Sequence, residues 1–480
     1  MKCLCISNFN ASAYWLGLLE GVLVMGVELV IGHEIAKTCG GSLQVWALTL
    51  AGVMSGLALG YAWSAMGLTR LTSIHPVRLA SLGMICVTVG YCLHCSGILT
   101  VQENIDRATL MVTLMILPGM TLFGQILPSI LNLSNQVIPG KLFAFATLGG
   151  LATALLAGFV LFDSFHPSRI LSSMVLIVMV FCLLWDGFKT NGWVHFILGV
   201  VSFASLNFVH RPPSAIWHSE NFYGIVEIED EAQSGIRSLN FNGLPQTVVS
   251  IDDTCSVLPY VNQIAVMGSV YPAGSRSLVL GVGGGTVLRA LDELGHQTEA
   301  CEWNPGIVDA SLKWFQPKAV KWTVDDARHH IRRLQGTYQF MVLDCFFGEQ
   351  PPWHVLTLES LKELQAHLVP GGMAIIYFPR DLGNEDLGSK LLVNTLLKAG
   401  FCVAGLSPSQ GQNTGQIFIA TLKKFDYASF PPFRLTACTE KAGMDSRIPY
   451  RILEGYPEVG FFDDDHPVLE RLKTGMHALR

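Results

Sequence analysis

The chain has 480 residues, half of them hydrophobic, with a mean hydropathy of +0.41 and a formal net charge of −6. It is too apolar on average for an ordinary soluble enzyme and too long for one compact domain. Charge divides it: residues 1–210 hold 15 Asp, Glu, Lys and Arg, whereas residues 211–480 hold 53 with a net charge of −7, and no basic patch points to nucleic acid.

A helix of about 20 apolar residues crosses a hydrocarbon core. Such runs lie near 13–31, 45–66, 77–98, 110–131, 142–162, 170–185 and 193–209. They predict an all-α, polytopic membrane bundle of about seven spans over residues 1–210, with the lipid bilayer as its partner. Glu20 and Glu28 interrupt the first run and no small-residue cleavage site follows, so it reads as a span and not as a signal peptide. Carboxyl groups at that depth are expected to face the bundle interior or water. In the fourth run Pro118 and Pro128 flank Gly124-Gln125, which predicts a kink. Cys92-Leu-His94-Cys95 in the third has no second ligand pair, and the other cysteines lack metal-ligand spacing, so no metal is expected. Lys and Arg are nearly balanced between alternate loops and set no orientation.

His210 to Trp217, HRPPSAIW, carries the paired prolines of a linker. Residues 211–272 then alternate in short runs with a turn signal at Asn242-Gly243, predicting a small antiparallel β subdomain. Over residues 273–425 strands alternate with helices of about ten residues, the pattern of an α/β Rossmann-like domain with a parallel sheet covered on both faces. FCVAGLS and GQIFIATL are candidates for an antiparallel edge. Residues 426–480 read as an irregular tail in which HPVLERLKTGMHAL forms one helix.

The run LVLGVGGGTVLRAL, Leu278 to Leu291, joins the first strand to the first helix of that domain. Gly281, Gly283, Gly284 and Gly285 allow a ligand to approach the backbone. Glu302 closes the second strand 17 positions after Gly285, where an acid accepts hydrogen bonds from ribose hydroxyls. Asp326 follows the third strand, suited to an adenine amino group, and Asp344 ends the fourth. Each acid alone is as readily a helix N-cap; the ordered set favours a nucleoside site along one sheet edge. The register Gly281, Gly283, Thr286 lacks the third glycine of a dinucleotide fingerprint and is compatible with an adenosyl sulfonium ligand.

Taken together, SENFYGIVEIED, FNGLPQTV, LVLGVGGGTVLRAL, CEWNP, VDDARHHI and YQFMVLDCF resemble the spermidine synthase family of polyamine aminopropyltransferases, over roughly residues 217–380. The run VELVIGHEIAKTCGGSLQVWALTLAGVMSGLALGYAWS resembles the opening of the branch fused to a multi-span, major facilitator-like membrane region. The resemblance implies an S-adenosylmethionine-binding fold and transfer of an aminopropyl group from decarboxylated S-adenosylmethionine to an amine. It implies that Gly281, Gly283 and Gly285 line the nucleoside, that Glu302 and Asp326 bind its ribose and adenine, and that Gln246 belongs to the same cofactor site. Tyr223 and Asp344 match catalytic positions, and dimers are implied. Two expected acids are missing: Gly284 and Phe347 stand where the family's pattern has aspartates. Glu349 and His354 lie near, as substitutes or as solvent-facing loop residues. A small-molecule or membrane-delivered amine acceptor is therefore expected. The alternatives are a methyltransferase using S-adenosylmethionine itself, and a non-catalytic polyamine or nucleoside sensor or transporter. The expected location is the cell (inner) membrane, multi-pass, with the C-terminal domain on the cytoplasmic side where the sulfonium nucleoside is made.

Overall fold

The computed structural model describes residues 9–39, 43–66, 75–96, 104–133, 136–162, 165–186, 190–208, 215–221, 223–345, 352–378, 387–406, 416–444, 448–457 and 459–464. The chain divides into two units, Met1–Pro212 and Pro213–Arg480.

The first unit is all helical: α1 (Phe9–Cys39), α2 (Leu43–Ala65), α3 (Pro76–Cys95), α4 (Asn104–Met111), α5 (Leu117–Phe123), α6 (Ile126–Leu133), α7 (Pro139–Leu156), α8 (Pro167–Asp186) and α9 (Thr190–Phe208). Among the described residues five helical stretches are long and apolar enough to cross a membrane: Ser12–Ala36, Val45–Ala65, Pro76–Cys95, Asp106–Leu133 and Pro139–Leu161. Two shorter apolar helices, Pro167–Leu183 and Trp193–Leu206, follow. The fourth stretch is interrupted as its prolines require. A π-helical turn at Val112–Ile116 leads into Pro118, and a break at Gly124-Gln125 separates α5 from α6. The buried Gln125 donates its Nε2 hydrogen to the Thr121 carbonyl at 3.2 Å, so the break leaves no stranded amide there.

Lipid tails are as apolar as leucine, so helices in a bilayer associate through close packing, and small residues set the closest approaches. A side chain at Gly21 or Gly149 would overlap the carbonyl of Ala146 or Leu18, which brings the backbones of α1 and α7 into contact. Gly60 and Gly124 do the same for α2 and α5 against Thr121 and Leu57. Glu20 is buried within this bundle, and so is Glu34, which the sequence reading passed over. Leu148, Leu151, Leu155 and Phe159 point outward, the last 76% exposed, an apolar face that suits a hydrocarbon solvent.

The second unit holds two sheets. Strands β1 (Ala215–Asn221), β2 (Gly224–Glu231), β3 (Ile236–Phe241) and β4 (Leu244–Ser250) form an antiparallel meander in sequence order. Asn242 and Gly243 both have positive φ, 52° and 78°, the backbone twist a two-residue hairpin demands. The larger sheet contains β5 (Arg276–Leu280), β6 (Gln297–Glu302), β7 (Lys321–Val324), β8 (Tyr338–Leu343), β9 (Leu368–Phe378), β10 (Cys402–Leu406), β11 (Gln416–Thr421) and β12 (Tyr450–Leu453), in the order β12-β10-β11-β9-β8-β5-β6-β7. The five strands from β9 to β7 run parallel, and β11, β10 and β12 add an antiparallel edge. Alternation decides the faces: Leu278, Leu280, Met341 and Leu343 join one core, while Val279, Phe340 and Val342 join the other. The helices are α10 (Pro259–Gly268), α11 (Thr286–Glu293), α12 (Pro305–Ala310), α13 (Ala327–Ile331), α14 (Leu358–Gln365), α15 (Leu387–Lys398) and α16 (Ala437–Lys441).

The segment read as an irregular tail is built into this unit. It contributes the edge strand β12, the buried side chains of Ile448 and Phe462, and a disulfide from Cys438 to Cys255 that the cysteine spacing did not reveal. The helix expected over HPVLERLKTGMHAL lies outside the described residues.

Overpacking the α1–α7 contact is the direct test of the bundle. Gly21→Leu is expected to cost roughly 1–3 kcal/mol or more and lower the thermal midpoint of the detergent-solubilised protein. Gly158→Leu, at a position with nothing within 4 Å of an added Cβ, is expected to leave that midpoint nearly unchanged.

Candidate functional site

Parallel strands deliver their C-terminal ends to one edge, and four consecutive ends here carry the residues singled out from sequence. At the first, Gly281 has φ 81°, and a Cβ there would overlap the backbone carbonyl of Asp344 on the neighbouring strand end. The loop therefore lies against β8 with no side chain between, and Gly285, φ 80°, caps α11. A side chain at Gly283 would fall 2.8 Å from Thr247 Oγ1. At each of these glycines a Cβ would run into neighbouring protein atoms, so the glycines let the loop backbone lie close against β8 and the β3–β4 hairpin.

Glu302, 4% exposed, holds that loop in shape: Oε2 accepts the Val282 N–H at 2.9 Å and Oε1 the Asn304 N–H at 3.2 Å. Burial pushes its carboxyl above the usual range, and backbone N–H groups around it, led by Val282 and Asn304, pull the other way. Gly283 and Trp303 add further backbone N–H groups to those of Val282 and Asn304, so the carboxylate is held by the backbone on every side.

Asp326 caps α13. Its Oδ1 accepts the His329 N–H at 3.0 Å, and its Oδ2 lies 2.8 Å from His354 Nε2. Burial raises its carboxyl, but the His354 hydrogen bond and the His329 amide outweigh that and hold it below the usual range. His354 is thus spent on Asp326; it neither faces solvent alone nor replaces a missing acid. Phe347 and Glu349 lie outside the described residues.

Asp344 is a second carboxyl with a raised proton affinity. Its amide donates to Leu280 O at 2.8 Å, and its Oδ2 accepts the Tyr260 hydroxyl at 3.1 Å. Burial, assisted by the charge of Glu302 and opposed by the Tyr260 hydrogen bond, pushes its carboxyl up to about 7. Tyr260 stacks flat on Tyr377, with ring centroids 3.9 Å apart and planes 11° apart. The neighbouring Cys345 thiol is pushed well up by burial and by Glu302, which removes thiolate chemistry from this corner.

The β3–β4 hairpin sets Gln246 and Thr247 beside the glycine loop. Gln246 is half-buried, its Nε2 making a 3.4 Å bond to Leu244 O. Thr247 Oγ1 accepts the Gly284 N–H at 2.7 Å, and a Cβ at Gly284 would meet Thr247 Cγ2 at 2.7 Å. Thr247 occupies the room that an acid at position 284 needs. Tyr223 packs edge-on against Trp303, centroids 4.4 Å apart, and its amide donates to Asn221 Oδ1 at 2.9 Å. Asn221 in turn donates to Asn304 Oδ1 at 2.7 Å, so Tyr223 belongs to the joint between the small sheet and the Glu302 strand end. It is Tyr260 that hydrogen-bonds Asp344. Sequence reasoning missed Tyr260, Tyr377 and Thr247; applying the strand-end rule once more, to β9, reaches Tyr377, whereas Tyr260 lies on a helix and carries no such signal.

No family model matches the chain. The C-terminal part is similar in sequence to a polyamine aminopropyltransferase of Vibrio vulnificus (strain CMCP6), 34% identical over 126 residues, which are 24% of this chain and 42% of that protein. An N-terminal histidine N-methyltransferase of Emericella nidulans is 31% identical over 116 residues, 23% of this chain and 21% of that protein. The chain thus matches less than half the length of either relative. Among solved structures, a probable spermidine synthase from Corynebacterium glutamicum aligns at TM-score 0.40 and 20% identity, covering 45% of this chain and 84% of that one. Spermidine synthase from Thermotoga maritima aligns at TM-score 0.38 and 15% identity, covering 55% and 84%. Human methyltransferase-like protein 13 in complex with SAH aligns at TM-score 0.31 and 19% identity, covering 36% and 86%.

Two outcomes test this geometry. Because the folded-state affinity of Asp344 for its proton is raised, the stability it contributes is full below about pH 4 and is lost as pH rises through about 7. Thermal unfolding of Asp344→Asn is expected to be flatter over that window and to show roughly 2 kcal/mol more stability than wild type at about pH 8. Gly284→Asp is expected to cost roughly 1–3 kcal/mol by collision with Thr247, and Thr247→Ala in the same chain to recover part of it; equal loss in single and double variants would count against the collision.

Proposed function

We propose that the protein is a membrane-anchored, spermidine synthase-like transferase. In this reading the first unit spans the bilayer about seven times and the second lies on the cytoplasmic side. Gly281, Gly283, Gly285 and Gln246 line an adenosyl sulfonium co-substrate, Glu302 takes its ribose and Asp326 its adenine. The sulfonium of decarboxylated S-adenosylmethionine supplies an activated carbon, so the protein has no need of a covalent nucleophile and must align and deprotonate an amine. The observation that carries the reading is Asp344 beside the glycine loop, with a carboxyl raised to about 7 and one oxygen held by Tyr260. A carboxylate of that affinity accepts a proton from an ammonium acceptor near neutral pH and releases it readily. Tyr260 keeps Oδ2 occupied, so Oδ1 is the atom that takes the proton. Tyr223, through Trp303, supports the strand end that carries Glu302. Sequence similarity to an enzyme named as a polyamine aminopropyltransferase supports the same reading.

Thr247 favours a second reading. With no room for an acid at position 284, one carboxylate that would grip a polyamine is absent, which suits either a membrane-delivered amine acceptor or methyl transfer from S-adenosylmethionine. The similarity to a relative named as an N-methyltransferase supports the latter. A dimer of the full chain belongs to the proposal as well.

Full-length protein incubated with each co-substrate and a panel of amines separates these readings. Methylthioadenosine as product is expected; S-adenosylhomocysteine would establish methyl transfer, and tight nucleoside binding with neither product would favour a sensor or transporter. Asp344→Asn is expected to lower kcat by about 10²- to 10⁴-fold with nucleoside affinity nearly unchanged, and the wild-type rate to fall as pH drops below about 7. Unchanged nucleoside affinity in Glu302→Ala would misplace the cofactor.

A further inference from the structure

Cys255 and Cys438 are joined across 183 residues, with Cα atoms 5.2 Å apart. Cys255 lies in the loop from β4 to α10, and Cys438 in the first turn of α16. The bond is part of a built junction. Asp253 pairs with Lys441 of α16, Arg289 of α11 donates to Thr254, and Cys255 N donates to Asp253 Oδ1 at 3.0 Å. The loop then runs directly into the site: Leu258 N donates to Ser256 Oγ at 3.1 Å, Pro259 opens α10, and Tyr260 reaches Asp344. Cys301, Cys345 and Cys402, the remaining cysteines of the second unit, are free thiols.

We propose that Cys255 and Cys438 form a redox latch: their bond clamps the β4–α10 loop onto α16 and so positions Tyr260 on Asp344, and reduction by a dithiol releases the loop. Both cysteines are half-buried at the surface, within reach of a small thiol. A reductant thiolate attacks one sulfur and the S–S bond breaks; the second thiolate of the dithiol resolves the mixed disulfide. Two electrons pass to the cystine, leaving two protein thiols protonated from solvent and an oxidised, disulfide form of the reductant. Reduction opens the latch without unravelling the C-terminal segment, because β12 stays paired with β10 and Phe425 and Ile448 stay buried in the core. Cytoplasmic disulfides are mostly transient or sensing, so the proposed placement of this unit suits a switch rather than a permanent staple. The cytoplasmic placement and the link to turnover rest on the proposed function; the bond and the loop release do not.

The test uses full-length protein isolated from membranes with alkylation at lysis. A Cys255–Cys438 cross-linked peptide is expected by mass spectrometry after mild oxidation and is expected to disappear with dithiothreitol. Hydrogen exchange of the oxidised and reduced protein is expected to show amides 251–262 and 437–442 exchanging about 10-fold faster after reduction, with β5 and β6 unchanged. Cys255→Ser is expected to reproduce the reduced pattern and Cys402→Ser to match wild type. If methylthioadenosine formation is detectable, reduction is expected to slow it by a similar factor. Failure of the linked peptide to form, or equal exchange in the two states, overturns the latch. Absence of any transferase product in both states overturns the proposed activity instead and leaves the exchange result decisive for the latch.

Discussion

A buried carboxylate is tolerable only where donors meet it, and Glu302 organises the second unit around that requirement. Its two oxygens draw in the amides of Val282 and Asn304, which fixes the glycine turn on one side and the entry to α12 on the other. The same charge acts through the strand-end edge: it raises the proton affinity of Asp344 and of the Cys345 thiol. Burial is the larger cause of both shifts, and the Glu302 charge adds to it. The backbone of the glycine loop is drawn toward Glu302 and pressed against Asp344, and no larger residue at 281 fits between them.

The hairpin side of the loop follows a different rule. At Gly284 the hairpin places Thr247, which caps the amide and takes the space an acid there needs. Two tyrosines then supply what the loop lacks. Tyr260 gives Asp344 a side-chain donor, and Tyr377, stacked on it, holds the ring in place. Beside Asp344 the described residues thus place an aromatic wall, and beside Gly284 a threonine.

The two units pack in different ways. In the first, Gly21, Gly60, Gly124 and Gly149 bring helix backbones into contact, and large apolar side chains such as Phe159 turn outward. In the second, the apolar side chains turn inward on both faces of the sheet, and Gly281 lets the loop backbone lie against the neighbouring strand end.

Periodicity and composition determined much by themselves. The apolar helices of the first unit, the hairpin at Asn242-Gly243, the alternation of strands and helices, and the acids Glu302, Asp326 and Asp344 at successive strand ends were all legible, because each is a local pattern of a few residues. What tertiary structure alone decided were pairings between distant segments: Tyr260 with Asp344 across 84 positions, Thr247 with Gly284 across 37, Cys255 with Cys438 across 183, and a tail strand completing the sheet. Such partners leave no periodic trace, since nothing in the local propensity of a loop cysteine or a helical tyrosine encodes which distant group the fold will bring to it.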